Sequence, residues 1–378
     1  MAVTAAFLLV AFFTGIAGAF QIPVLSLYLA KEVKAAPAAI GFFYMVNAAT
    51  GILIGFGLAA LSDRIGVRRH LLMFCYFMAI LNGLLFAFHR HYLFLLIAGS
   101  FLTAVANAAT PQLFALAREH DKKPMFNALM RAQLSLAWVV GPPLAFSLTA
   151  TVGFTRLYLL TAAIFTATLL LTAVLPANTR QIAQQYAAEP ATAVKGQKQL
   201  ALLFFTSMLM WSCSALYLID APVFIIQQSG LAEQHVGIIM GLAAALEIPV
   251  MLLAARYVER LGKKRLLIAA LYAGMLFYGG FSLAGSLWQL LILQIFNAVF
   301  IGIISTTGMF IFQAALPARP GLATTLFTNS VSVGIVLAGG LHAFVMGSGQ
   351  HKHVYIMAVA LLFIASVIMR KVEETFHS

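Results

Sequence analysis

Apolar runs of about 20 residues recur from one end of the chain to the other, parted by short stretches that carry charge, Pro or Gly. Coiled at ~1.5 Å per residue, such a run crosses the ~30 Å hydrocarbon core of a bilayer. Cutting the chain at its breaks predicts twelve helices, near residues 3–29, 38–61, 71–88, 92–117, 125–148, 157–175, 200–221, 236–257, 266–284, 287–316, 322–346 and 354–369. Composition supports the pattern: of 378 residues, 62% are hydrophobic and only 9% charged. Soluble domains carry roughly 25% charge, so a water-facing surface cannot be built from this chain. The fold class expected is therefore an all-α polytopic membrane protein. The first run has no Lys or Arg ahead of it and exceeds the length of a cleavable signal core, so it reads as a retained helix.

The net charge of +12 is distributed in small groups between the runs, which excludes a nucleic-acid surface and reads as topology information. Summed over alternate loops, Lys and Arg number 17 on one side and 5 on the other, placing both termini in the cytoplasm. Cys75 and Cys213 lie inside apolar runs without a second ligand at metal spacing, so they read as small core residues. The one long polar connection, 176–199, predicts a flexible cytoplasmic linker between bundles at 1–175 and 200–378.

The two halves repeat. Asp63-Arg64-Ile65-Gly66-Val67-Arg68-Arg69 follows the second run, and Glu259-Arg260-Leu261-Gly262-Lys263-Lys264-Arg265 follows the eighth, at an offset of 196. Gln21-Ile22-Pro23 lines up with Asp220-Ala221-Pro222 at 199, and Arg131 and Gly141 with Asn329 and Gly339 at 198. Two six-helix repeats suit a carrier whose halves rock about a midplane site. No nucleophile–base pair argues for an enzyme, no charge ring for a channel, and no motif asks for a cofactor or metal.

The loop beginning at Asp63 resembles the signature between helices two and three of the major facilitator superfamily. More narrowly, Gly15 to Pro23, Pro111 to Glu119, Met130 to Phe146, Leu246-Glu247-Ile248-Pro249 and Thr324 to Asn329 resemble the bacterial sugar efflux transporters over nearly the whole length. The resemblance implies proton-linked export of small sugars or glycosides across the inner membrane, by a chain that needs no partner to form a path and is expected as a monomer among its lipids. It also implies that spans one, two, four, five, ten and eleven line a central cavity, and that helices five and eight face each other. A multidrug proton antiporter is the near alternative, and a non-transporting membrane receptor or enzyme the distant one. Two departures stand out: Asp220 occupies an amide position of the resembled pattern, and Ala59 a glycine position.

Intramembrane ionisable groups are expensive and therefore informative. Glu247, near mid-depth of the eighth run, is the expected proton carrier, with Arg131 of the fifth as its counter-charge. Asp220 is a further candidate, read as a solvated carboxylate where the helix breaks before Pro222, and His342, a lone histidine near the outer end of the eleventh run, reads as a proton relay or a structural group. A polyhydroxylated cargo asks for amides and an aromatic face. Gln21, Asn47, Asn107, Gln133, Asn297 and Asn329 are the amides expected in the cavity, and Trp138 and Trp211 the stacking candidates. Gating is expected at Asp63, Arg64, Gly66 and Arg68, at Glu259, Arg260 and Gly262, and at Gly141-Pro142-Pro143, which should kink or open the fifth helix. The basic residues of the two loops are expected to meet lipid head groups or nearby acids.

Overall fold

The computed structural model describes residues 2–65, 68–120, 124–176, 197–316, 320–347 and 349–372, and among these there is no strand. In hydrocarbon no water is present to satisfy peptide groups, so each apolar run closes its hydrogen bonds within itself as a helix. In chain order the helices are α1 (Ala2–Gln21), α2 (Leu25–Lys31), α3 (Pro37–Ile65), α4 (Arg68–Phe88), α5 (Tyr92–Phe94), a π-turn (Leu95–Gly99), α6 (Ser100–Asn107), α7 (Ala109–His120) and α8 (Pro124–Ala173). The second half holds α9 (Gln197–Gln227), α10 (Glu233–Leu261), α11 (Lys263–Leu283), α12 (Leu287–Ala315), α13 (Pro320–Met346) and α14 (His351–Arg370).

Among the described residues eleven helical segments are long and apolar enough to cross a membrane. One of them, Leu129–Ala173, runs 45 residues. At ~1.5 Å per residue that is about twice one bilayer crossing. It reverses at Gly153, the one non-helical point inside α8, where φ is +83°. The fifth and sixth spans are thus joined through a glycine turn, and the count returns to twelve. Helical dihedrals continue through Gly141-Pro142-Pro143, so the helix does not open there.

The other departures also lie at prolines. The first span breaks at Ile22-Pro23-Val24, where Pro23 offers no N–H to the Ala19 carbonyl. Its repeat mate Pro222 leaves α9 unbroken to Gln227, so the break expected beside Asp220 is absent. In the fourth span Pro111 denies the Asn107 carbonyl its donor, and α6 ends there. Of the segment read as a linker, 177–196 lies outside the described residues, and Gln197–Gln199 already belong to α9.

The chain packs as two units: the described residues of Met1–Lys34 with Val46–Ala193, and those of Ala35–Met45 with Val194–Ser378. The opening turns of α3 thus pack with the second unit. Large side chains such as Phe344 (83% exposed) and Leu283 (82%) face outward, as a lipid-bathed surface requires. Cys75 and Cys213 are free and buried.

Lipid tails are as apolar as leucine, so helices adhere in a bilayer through close backbone approach. In the first unit α1 and α8 cross on small residues: a Cβ added at Gly15 would lie 2.8 Å from the Ala137 Cβ, and one at Gly141 2.3 Å from the Ala19 Cβ. In the second unit the start of α3 meets α13 the same way, with a Cβ on Gly339 falling 2.4 Å from the Met45 nitrogen.

Two basic residues of the duplicated loops bond helix-end carbonyls. Arg69 at the head of α4 donates to the Leu175 carbonyl at 2.9 Å, just past the end of α8. Lys264 at the head of α11 donates to the carbonyls of Arg370 (3.1 Å) and Val372 (2.6 Å), at the end of α14. Each satisfies C-terminal carbonyls that have no intrahelical partner. Asp63 and Arg64 fall on the last turn of α3, and Gly66 lies outside the described residues.

Gly141→Ala should lower stability by about 1–3 kcal/mol through overpacking against Ala19. Gly18→Ala, where an added Cβ meets nothing within 4 Å, should be close to neutral. Thermal unfolding of both in detergent micelles checks the difference.

Candidate functional site

Three polar constellations interrupt the apolar interior. The first is a cavity of about 230 Å³ inside the first unit. Two helix faces supply its polar wall. Thr14, Gly18 and Gln21 recur along α1 at steps of four and three, and Thr103, Asn107 and Thr110 do the same across the α6–α7 break. Aromatic rings complete the lining, from Phe86, Trp138, Tyr158 and Phe165. Gln21 stands where the first span breaks, and its Nε2 is buried without a hydrogen-bond partner. Asn82, buried behind the wall, accepts a bond from the Thr103 hydroxyl at 3.3 Å. Thr14 hydrogen-bonds the Val10 carbonyl and the Tyr76 hydroxyl, each at 2.7 Å.

Of the amides and tryptophans expected to bind substrate, the structure brings together Gln21, Asn107 and Trp138. Asn47, Gln133 and Asn329 stand half-buried on α3, α8 and α13, outside that cavity's lining. Asn297 is buried on α12 and donates to Gln294 Oε1 at 3.0 Å, the atom that the Tyr217 hydroxyl also approaches at 3.5 Å. Trp211 packs edge-on against Phe327, with ring centroids 6.3 Å apart. Sequence reasoning passed over Thr14, Thr103 and Thr110, and counted Asn82 among the intramembrane amides without placing it in the cavity. The threonines were legible as a polar stripe at helical spacing, which amides alone obscured.

The second constellation is Glu247, half-buried on α10. Gly302 on α12 lets α10 come close, since an added Cβ would lie 2.8 Å from Val250 and 3.2 Å from the Glu247 carbonyl oxygen. That approach sets the Ser305 hydroxyl beside the Glu247 carboxyl group. The Ser305 hydroxyl also donates to the Ile301 carbonyl at 2.7 Å. Arg131 is exposed on α8, its guanidinium carbon 5.9 Å from the centre of the Phe114 ring.

The third is Asp220, and here the solvated reading is overturned. Asp220 is 1% exposed. Its Oδ1 lies 3.1 Å from His342 Nε2 and 2.7 Å from His351 Nδ1, on α13 and α14. One carboxyl proton could satisfy at most one of those contacts, so at least one imidazole N–H donates to it. Both rings are buried, and the Tyr355 hydroxyl stands beside the same carboxylate. His351 escaped sequence reasoning because it begins a new helix nine residues beyond His342. Among the described residues no group of three His, Cys, Asp or Glu side chains is arranged to hold a metal ion.

Of the gating candidates, Arg68 is half-buried at the head of α4, and Glu259 and Arg260 are exposed at the end of α10. Gly262, at φ +85°, makes the turn into α11.

Helices long and apolar enough to span a bilayer, with a polar cavity and acidic side chains among them, fit a membrane transporter. The model of the Major Facilitator Superfamily matches residues 7–339 and 202–377. The chain belongs to that superfamily, and within it to the sugar efflux transporter family. It is 47% identical to sugar efflux transporter A of Escherichia coli K12 over 380 residues, covering 98% of this chain and 96% of that one. It is 42% identical to sugar efflux transporter A of Dickeya chrysanthemi, with the same coverage. Among solved structures, the nucleoside transporter NupG superposes with a TM-score of 0.81 at 15% identity, over 98% of this chain and 99% of that one, a likeness of fold. The protein is a non-enzymatic, multi-pass transporter of the bacterial inner membrane.

Asp220→Ala would strand the buried imidazole N–H donors, at about 1–3 kcal/mol for each group left unpaired. A clear drop in melting temperature is expected, with Asp220→Asn falling less because an amide oxygen still accepts.

Proposed function

We propose that the protein exports small sugars or glycosides across the inner membrane in exchange for protons, by alternating access. The observation that carries this reading is the cavity of the first unit. A sugar presents hydroxyls around its rim and C–H groups on its faces, so it asks for amides and hydroxyls on one side and aromatic rings on the other. Gln21, Asn107, Thr14 and Thr110 supply the first, and Trp138 with Tyr158 the second. The unpartnered Gln21 Nε2 is a donor waiting for an acceptor that a sugar hydroxyl would provide. A volume of about 230 Å³ is below the roughly 300–1,000 Å³ of drug-sized sites, which favours a small sugar over a multidrug cargo. The names of the sugar efflux relatives support the same substrate class.

Glu247 is the proposed proton carrier. When protonated it can donate to Ser305 while that hydroxyl serves the Ile301 carbonyl; when ionised it can accept the Ser305 proton instead. The two arrangements differ by one proton and one hydroxyl rotation. Orientation follows the bias of Lys and Arg between loops, which places both termini in the cytoplasm and the Asp63 and Glu259 loops, as gating elements, on that side.

Counterflow of a labelled sugar panel in reconstituted vesicles tests the substrate. At least one small sugar or glycoside should exchange, and Gln21→Ala or Asn107→Ala should weaken it about tenfold, the ~1.4 kcal/mol scale of a lost hydrogen bond. Movement of cationic dyes with no sugar exchange would overturn the reading. For the proton, Glu247→Gln should retain counterflow yet lose its acceleration by an imposed pH gradient. An undiminished response to the gradient would remove Glu247 from that role.

A further inference from the structure

Asp220 and its two histidines form a buried group that the sugar cavity does not use. A carboxylate this deep must be neutralised or paired, because an uncompensated buried charge costs several kcal/mol. Two neutral imidazoles can donate hydrogen bonds to it, but they leave the cluster with one negative charge. One added proton makes the cluster neutral, and a second would leave it positive. The arrangement therefore holds one exchangeable proton.

The titratable neighbours do not alter that count. The groups acting on the carboxylate are His342 and His351. Tyr355 on α14 stands beside it, coupled to Tyr217 on α9 and Tyr278 on α11, and Tyr44 lies one turn beyond Gly41 on α3. Phenols of ordinary acidity stay neutral where histidine titrates.

Geometry then selects where the proton can be felt. His342 turns Nε2 to Asp220, while its Nδ1 is buried without a hydrogen-bond partner. That nitrogen faces the opening turns of α3: a Cβ on Gly41 would lie 2.8 Å from it. The same Gly41 would clash with the Ala343 nitrogen at 2.5 Å and the Gly339 oxygen at 2.7 Å if it carried a side chain. Gly41 and Gly339 thus close the seam directly over the free face of the imidazole. His351, the first residue of α14, adjoins the exposed Gln350 and Lys352 and gives water a short route to the cluster.

We infer that Asp220, His342 and His351 form a second proton-binding site, and that a proton on His342 Nδ1 parts the seam between the start of α3 and α13. Binding forms one N–H bond as an O–H bond of hydronium breaks and leaves water. The imidazolium is held by Asp220, but its new N–H points at Gly41 backbone that offers it no acceptor; water entering a parted seam would. The protonated cluster therefore favours the open seam, and the unprotonated cluster the closed one. The export reading above supplies only the side from which the proton comes, since α14 begins at the end opposite the cytoplasmic C-terminus.

The test needs neither sugar nor gradient, so its failure is separable from failure of the export reading. Spin labels at Phe42→Cys and Phe344→Cys, both exposed, report the seam by pulsed electron resonance in the otherwise intact protein. Between about pH 8 and about pH 5, which bracket the ordinary titration of histidine, the distance should lengthen by about 5 Å, one helical turn. His342→Gln keeps a donor for Asp220 but cannot take the proton, and should stay short at both pH values. Should that variant fold poorly, Asp220→Asn removes the charge that holds the proton and should also stay short. Gly41→Ala should read long throughout. An unchanged distance in the parent protein, or a shift of the same size in the well-folded His342→Gln or Asp220→Asn variant, would overturn the inference.

Discussion

A bilayer removes the usual reason for helices to associate. Burying leucine against leucine gains little when lipid offers the same surroundings, so adhesion falls to backbone contact, dispersion and the rare polar bond. In this protein the contact is made by residues that lack a side chain or nearly lack one. Gly15 and Ala19 against Ala137 and Gly141 draw α1 onto α8, and Gly302 admits α10 to α12. Each of these approaches brings a polar group to its working place. The α1–α8 crossing sets Gln21 and Trp138 on one cavity, and the α10–α12 crossing gives Glu247 its serine.

Duplication supplied two copies of one plan, and their differences sit on matching positions. Gln21-Ile22-Pro23 and Asp220-Ala221-Pro222 hold the same place in the repeat. In the first copy the proline ends a helix and leaves an amide at a cavity wall. In the second the helix runs on through the proline, and the residue facing inward is an acid buried under two imidazoles. Matching positions of the repeat thus hold an amide at a cavity wall in one half and a buried acid in the other.

The spans, the repeat and the acids were legible because a polar residue inside an apolar run is itself the signal. Glu247, Asp220, Gln21, Asn107 and Trp138 all announce themselves that way. What the residues did not announce was set by packing. A proline predicts a lost hydrogen bond wherever it falls, yet Pro23 breaks its helix, Pro222 does not, and Gly141-Pro142-Pro143 stays helical against α1. The burial of Asp220 depended on His351, which only the turn between α13 and α14 brings near. Asn297 looked like a cavity amide but bonds to its own helix neighbour, Gln294, an alternative open to any amide in a bundle. The threonines were missed because a hydroxyl that can bond within its own bundle, as Thr14 bonds the Val10 carbonyl and Thr103 bonds Asn82, reads as inert until a cavity opens beside it.

Arg69 and Lys264 carry one more implication. Each fastens the last helix of its own six-helix run to the head of the third, so the fastener and everything it fastens are inherited together. Each half of the chain carries its own clasp, at neighbouring rather than identical repeat positions, so neither half depends on the other to hold its third span to its last.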